Sequence, residues 1–180
     1  MRRSARWDAE FSEFVAGRSS QLYRYAYLLA TSPHGAEDLV QTALAKAYSA
    51  WPRVRSADDP VAYVHGIVLK SFLSERRRRS SSELPVAEAP ERPGQHHEDA
   101  DPADRAALMS ALARLAPIDR AVVVLRFWED RSVAQTALDL DLSEPAVKNR
   151  SLRALRELRG LLADAAPSIT SSDPSPRSAS

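Results

Sequence analysis

The stretch Ser132-Val133-Ala134-Gln135-Thr136-Ala137-Leu138-Asp139-Leu140-Asp141-Leu142-Ser143-Glu144-Pro145-Ala146-Val147-Lys148-Asn149-Arg150 decides the fold. Ser132 and Gln135 form a capping box, in which each side chain satisfies an orphan backbone donor beside the other, so a helix starts there. It runs to about Leu140, Asp141-Leu142 makes a tight turn, and Ser143 caps a second, longer helix from Glu144 to about Gly160. Small Ala137 stands where the two helices would cross, and Leu140, Leu142 and Val147 close a miniature core. This is the layout of a helix-turn-helix. The second helix carries Lys148, Arg150, Arg153, Arg156 and Arg159 against Glu144 and Glu157, five positive and two negative, for a net +3. Lys148, Asn149 and Arg150 lie in its first two turns, where side chains reach base edges, while Arg153 and Arg156 suit phosphates. A solvated basic face is the competing reading.

Working outward, Leu108, Ala111, Leu112 and Leu115 share one helical face, Ala116-Pro117 breaks it, and Ala121 to Trp128 is strongly apolar. Val122-Val123-Val124-Leu125 would suit a buried strand. No second strand exists to pair with it, so the run is read as helix. Residues 105–162 therefore form one helical lobe. A second lobe covers residues 8–80, where Phe11, Phe14, Val15, Leu22, Ala26 and Leu29 recur at three- and four-residue intervals. Ser32-Pro33 restarts the chain as N-cap and first helical residue, and Leu39, Val40, Ala43, Leu44 and Ala47 continue the stripe. Trp51-Pro52 breaks that helix, a polar loop follows, and Asp59-Pro60 caps a third helix with Val61, Val64, Val68 and Phe72 inward.

Between the lobes, residues 81–104 hold Glu83, Glu88, Glu91, Glu98, Asp99, Asp101 and Asp104 against Arg92 alone, with four prolines interspersed. Such a segment reads as a flexible acidic linker, and the Ser/Pro-rich residues 163–180 as a disordered tail. The expected fold class is all-α: a three- to four-helix N-terminal domain, the linker, and a C-terminal helix-turn-helix domain. The whole chain has 180 residues with 25 Lys+Arg against 24 Asp+Glu, so nucleic-acid affinity must come from local clustering. Its lack of cysteine excludes disulfides, thiolate zinc sites and thiol nucleophiles. No stretch approaches the roughly 18 apolar residues of a membrane span, and the chain reads as cytoplasmic, without membrane insertion.

The third helix ends in Arg76-Arg77-Arg78-Arg79. Cations at a helix C-terminus are worth roughly 0.3–1 kcal/mol each, which accounts for one or two arginines. A phosphate backbone accounts for all four, because neutralising phosphates releases condensed cations. Trp51, Tyr63 and Phe72 are the nearby aromatics on which single-stranded bases could stack, though Phe72 reads as core. Catalysis is not expected: there is no Gly-rich phosphate loop, nucleophile elbow or two-histidine helix motif. His96-His97-Glu98-Asp99 lies in the acidic linker without a second shell and points to adventitious metal at most, so neither metal nor cofactor is assigned.

Ala36-Glu37-Asp38-Leu39-Val40-Gln41 with Ala47-Tyr48 and Trp51, Pro60 to Val64 through the four arginines, and Asp119 to Phe127 through Val147-Lys148-Asn149-Arg150 follow in order. Together they resemble the short ECF-type sigma factors of bacterial RNA polymerase, in the sigma-70 family. Glu83-Leu84-Pro85 is similar to the SigE-like actinobacterial branch.

The resemblance implies that Glu37, Asp38, Gln41 and Lys46 face the core polymerase. It implies that Trp51, Arg53, Arg55, Tyr63, Lys70, Arg76, Arg77, Arg78 and Arg79 serve −10 recognition and melting. Ser143, Glu144, Lys148, Asn149, Arg150 and Arg153 would read the −35 element. Core polymerase and promoter DNA are the implied partners, with an anti-sigma factor as a third. The family makes no covalent chemistry. The chain departs from the pattern at Lys70, where an asparagine is usual, at His65-Gly66, where arginines are common, at Asp141 in place of a turn glycine, and at Pro145. A stand-alone helix-turn-helix regulator is the alternative, in which the N-terminal lobe dimerises or senses a ligand.

Overall fold

The computed structural model describes residues 2–81 and 101–165, nearly all of them helical and none of them strand. The N-terminal lobe contains α1 (Arg2–Ala30), α2 (Pro33–Ser49), α3 (Trp51–Val54) and α4 (Pro60–Ser81). The C-terminal lobe contains α5 (Pro102–Arg114), α6 (Pro117–Val123), a π-helical turn (Val124–Trp128), α7 (Val133–Leu140) and α8 (Glu144–Ala165). Most of the expected acidic linker, including His96-His97-Glu98-Asp99, and the tail from residue 166 lie outside the described residues.

The boundaries follow from local chemistry. Ser32 is extended and its Oγ accepts the Gly35 N–H at 3.2 Å, with Pro33 just inside the helix. A Cβ on Gly35 would come within 2.7 Å of that Oγ, so glycine is what lets the cap close. Asp59 Oδ1 caps α4 through the Ala62 N–H at 2.9 Å, and Asp101 Oδ1 caps α5 through the Ala103 N–H at 3.0 Å. Helix therefore begins at Pro102, ahead of residue 105. The polar loop expected after Trp51 is in part helix. Pro52 is tolerated in the first turn of α3, and the Arg55 N–H closes that turn on the Trp51 carbonyl at 2.9 Å.

The apolar run after Pro117 is helical, but not as one α-helix. From Val124 the ladder widens to the π pattern, and the Glu129 N–H reaches back five residues to the Val124 carbonyl at 3.0 Å. The helix-turn-helix forms as its sequence dictates. Ser132 and Gln135 close both halves of the capping box, and Asp141 takes the left-handed conformation at φ 54° and ψ 49°. Ser143 Oγ caps α8 through the Ala146 N–H at 3.3 Å, and Pro145 falls in the first turn.

The two lobes close on each other over one continuous core. Tyr25, Leu29, Val68, Leu69 and Phe72 from the first lobe join Leu112, Leu115, Val122 and Leu125 from the second. A separate cluster at the far end of the first lobe holds Leu22, Ala47, Trp51, Val54 and Val64. Buried Arg120 ties the lobes together: its guanidinium donates to the Ala113 and Leu115 carbonyls beside it and to the Leu29 carbonyl of the first lobe, the last at 2.7 Å. These carbonyls are C-terminal orphans of α1 and α5, which a cation satisfies. A second tie is His65 Nδ1, 2.9 Å from Glu129 Oε2, with its ring stacked on Tyr25 at 4.2 Å.

Candidate nucleic-acid interface

α4 spaces Tyr63, Lys70 and Arg77 seven residues apart, two helical turns each, so the three align along one stripe. All three are exposed, as are Arg78 and Arg79, whereas Arg76 is half-buried with its guanidinium 5.7 Å from the Phe72 ring centre. Arg79 pairs with Glu75 at 2.6 Å. Lys70, Arg76 and Arg77 line an interlobe cleft of about 500 Å³, together with apolar Leu73, Pro117, Ile118 and Leu140 and the acidic Asp139 and Asp141.

The aromatic expected to stack on a base needs correction. Trp51 is only 4% exposed, with Phe11 edge-on to its ring at 5.1 Å and Phe14 beside it at 5.4 Å. Both faces of the ring are committed to the core, because the amphipathic stripe of α1 packs over the start of α3. Of the three aromatics named for stacking, Trp51, Tyr63 and Phe72, Tyr63 at 38% exposed is the one left open to a base. Arg53 projects from α3 into solvent, while Arg55 is drawn to Glu10 at 3.2 Å and lies over Trp7. Glu10 is held below the ordinary carboxylate range, chiefly by its hydrogen bond from Arg6 and then by the charge of Arg55.

On α2, Glu37, Asp38 and Gln41 share an exposed face, where His34 also approaches Asp38 at 3.3 Å. Lys46 is not free beside them: its Nζ donates to Ser71 Oγ of α4 at 2.8 Å, which turns the ammonium toward its own lobe.

On α8, Glu144, Lys148 and Asn149 are exposed in the first two turns, with Ser143 as the cap. Arg150 and Arg153 converge on a residue that sequence patterning had given no role. Asp119 of α6 is 3% exposed, and it accepts from Arg150 at 2.8 Å and from Arg153 at 2.5 Å. Arg120, its neighbour in sequence, faces the other way, into the lobe junction. Burial, and then the like charge of Arg76, pull Arg120 down to about 10, still high enough to keep it charged at neutral pH. Apart from the nearby Ala113 and Leu115 carbonyls, the partners of this dyad are distant in sequence, 31 and 34 residues away on one side and 91 on the other.

Among the described residues no cluster of three or more His, Asp or Glu side chains could hold a metal, and no helix is long and apolar enough to cross a membrane. Two family models match the chain: Sigma-70 region 2 over residues 14–82 and Sigma-70, region 4 over residues 105–158. The RNA polymerase sigma-E factor of Streptomyces coelicolor is 39% identical over 150 residues, covering 83% of this chain and 84% of that protein. The ECF RNA polymerase sigma factor SigL of Mycobacterium tuberculosis is 32% identical over 142 residues, covering 77% and 80%. Among solved structures, the sigma factor RpoE in complex with the anti-sigma factor NepR from Bartonella quintana has the same fold. It superposes with a TM-score of 0.69 at 22% identity, covering 86% of this chain and 97% of that one. CnrH in complex with the cytosolic domain of CnrY gives a TM-score of 0.55 at 25% identity, covering 87% and 90%.

Proposed function

This chain belongs to the sigma-70 family of RNA polymerase sigma factors, in the ECF group, and from that premise we propose how its two lobes divide the work of initiation. It is a promoter-directing factor that acts with core RNA polymerase on promoter DNA, not a stand-alone regulator. Region 2 accounts for the N-terminal lobe, which the rival reading assigned to dimerisation or ligand sensing. Its role is specificity and DNA opening, without covalent chemistry of its own, and its place of work is the cytoplasm.

In this reading the α2 face of Glu37, Asp38 and Gln41 meets the polymerase. The α4 stripe of Tyr63, Lys70 and Arg77, with Arg53 and the neighbouring arginines, holds the melted −10 strand. Flipped bases stack on the open ring of Tyr63, and unstacking them costs a few kcal/mol, least in A·T-rich DNA. Lys148 and Asn149 of α8 read base edges of the −35 element in the major groove, with Ser143 and Glu144 at the entering end. The observation that carries the reading is the placement of the positive charge on two helices of different lobes.

Promoter geometry then requires the lobes to part. Elements centred near −10 and −35 lie roughly 25 base pairs apart, or about 85 Å at roughly 3.4 Å per pair. The longest helix, α1 with 29 residues, spans only about 44 Å at 1.5 Å per residue. The closed lobes are therefore a resting form, and polymerase binds the open one. RpoE and CnrH were each captured with a second protein, the anti-sigma factor NepR and the cytosolic domain of CnrY. A partner of that kind, holding the lobes closed, is proposed for this chain too.

The test is reconstitution with purified core polymerase and mapping of transcript starts on genomic fragments. Starts that share two upstream elements, with the upstream footprint lost in Lys148→Ala, are expected. Initiation indistinguishable from core alone, or specific duplex binding that needs no polymerase, would refute it.

A further inference from the structure

We infer that Asp119 is a positioning residue for upstream-element recognition: its buried carboxylate sets where α8 aims Arg150 and Arg153 and limits how strongly they attract DNA without regard to sequence. The inference rests on the assignment of α8 to the −35 element. One carboxylate bridges two arginines on successive turns, with Oδ1 accepting from Arg150 Nη1 at 2.8 Å and Oδ2 from Arg153 Nη2 at 2.5 Å. Asp119 itself is sealed at 3% exposure, yet the Arg153 side chain is 58% exposed and that of Arg150 31%. Each guanidinium is thus anchored from below and open above. A guanidinium has five N–H donors in a rigid fork, so a bond to Asp119 leaves donors for a phosphate or a guanine edge.

Two consequences follow from the geometry. Long arginine side chains that would otherwise sample many rotamers are ordered before DNA arrives, which lowers the entropy lost on binding the right site. The single negative charge also offsets one of the two positive ones, which weakens phosphate attraction at every site alike. Discrimination between right and wrong DNA gains from both effects. A carboxylate that served only to fasten α8 onto α6 would need one arginine, and neither would need to reach solvent.

The test uses the full-length chain assembled with core polymerase, on the promoter recovered by mapping its transcript starts, with the −35 element intact or scrambled. Affinity is measured against salt concentration for the natural chain and for Asp119→Asn, Asp119→Glu, Arg153→Lys and Lys148→Ala. Asp119→Asn is expected to reduce the preference for the intact element by about tenfold. It should also steepen the salt dependence on scrambled DNA by roughly one to two units, at about 0.9 per phosphate newly engaged. Asp119→Glu should keep most of the preference.

Arg153→Lys cannot hold the forked geometry and should lose preference at unchanged thermal stability, which keeps the test open should Asp119→Asn fold poorly. A uniform loss of affinity with an unchanged salt slope would reduce Asp119 to a structural fastening and overturn the inference. So would full preference in both Asp119→Asn and Arg153→Lys. If Lys148→Ala loses the preference while those two keep it, this inference fails and the α8 assignment stands. If none of the three loses it, the assignment itself falls.

Discussion

Replacing Arg120 with Met tests whether one cation caps helices in both lobes. The guanidinium donates to the carbonyls of Leu29 at 2.7 Å, Ala113 at 3.0 Å and Leu115 at 3.2 Å, and its charge lies 5.9 Å from the Phe72 ring centre. Met keeps the apolar stem in place, so packing loss is small. Two buried carbonyls, of Leu29 and Leu115, lose their donor at about 1–3 kcal/mol each, while the part-buried Ala113 carbonyl can turn to water at smaller cost. Removing a charge buried beside Arg76 returns part of this, because a desolvated cation near a like charge is unfavourable in itself. The expected net loss is about 2–4 kcal/mol. Because one of the three carbonyls belongs to the first lobe, unfolding should also lose cooperativity between lobes. Urea titration would follow helix content by circular dichroism, and fluorescence from Trp7 and Trp51 in the first lobe and Trp128 in the second. Coincident transitions are expected in the natural chain, and separated ones in Arg120→Met. A midpoint shift worth under about 0.5 kcal/mol, with transitions still coincident, would refute the reasoning.

Arg77→Ala with Arg78→Ala should lower the salt dependence of open-complex formation by about one to two units, as expected from about 0.9 per phosphate contact, whereas an unchanged slope in filter binding would exclude the phosphate role. Asp141→Gly should stabilise the chain by roughly 0.5–1 kcal/mol, since glycine adopts φ 54° without a Cβ penalty; a lower melting temperature would contradict it. Burial, and then the carboxylates of Glu129 and Asp139, push the Tyr25 phenol far above its ordinary value of 10.0. Its neutral form is favoured in the fold, so this stability is fully present below pH 10 and is lost as pH rises above it, once the unfolded chain can ionise. Tyrosinate absorbance of the natural chain minus that of Tyr25→Phe should appear only with unfolding, not in a free titration beforehand.

Signals confined to one or two turns were legible. Ser32-Pro33, Asp59-Pro60, the Ser132–Gln135 box and Ser143 each bracket a helix because a side-chain oxygen and the donors it satisfies lie within three residues. The strain at Asp141 was legible for the same reason. What depended on distant packing was not. Trp51 followed by proline reads as a surface break, and only the arrival of Phe11 and Phe14 from α1 buries it. Lys46 reads as a free cation until α4 brings Ser71 to it. Asp119-Arg120 reads as an ordinary charged first turn, although its partners lie on α8 and across the lobe junction. The π turn escaped because a run such as Val122-Val123-Val124-Leu125 is apolar at every helical pitch, so periodicity cannot report the pitch.

The closed junction also bears on the proposed dependence of DNA binding on polymerase. Lys70, Arg76 and Arg77 line the same cleft as Asp139 and Asp141, so part of the α4 stripe shares that space with carboxylates of its own chain. Duplex DNA, with one phosphate charge per roughly 1.7 Å of axis, is the stronger counter-ion, but engaging it on the cleft side of α4 means pulling the lobes apart. That exposes the apolar surface around Phe72, Leu115 and Val122 and strips the Leu29 carbonyl of its donor. On the proposed reading, promoter DNA alone would offset that loss with electrostatic contacts only. The α2 face proposed to meet core polymerase is exposed in the closed form already, so on this reading a preference for the open form comes from further contacts that polymerase makes to the separated lobes. A ligand shifts such an equilibrium only by its difference in affinity for the two forms. On that proposal polymerase supplies the opening through its preference for the open form, and the promoter is read by a chain already held apart.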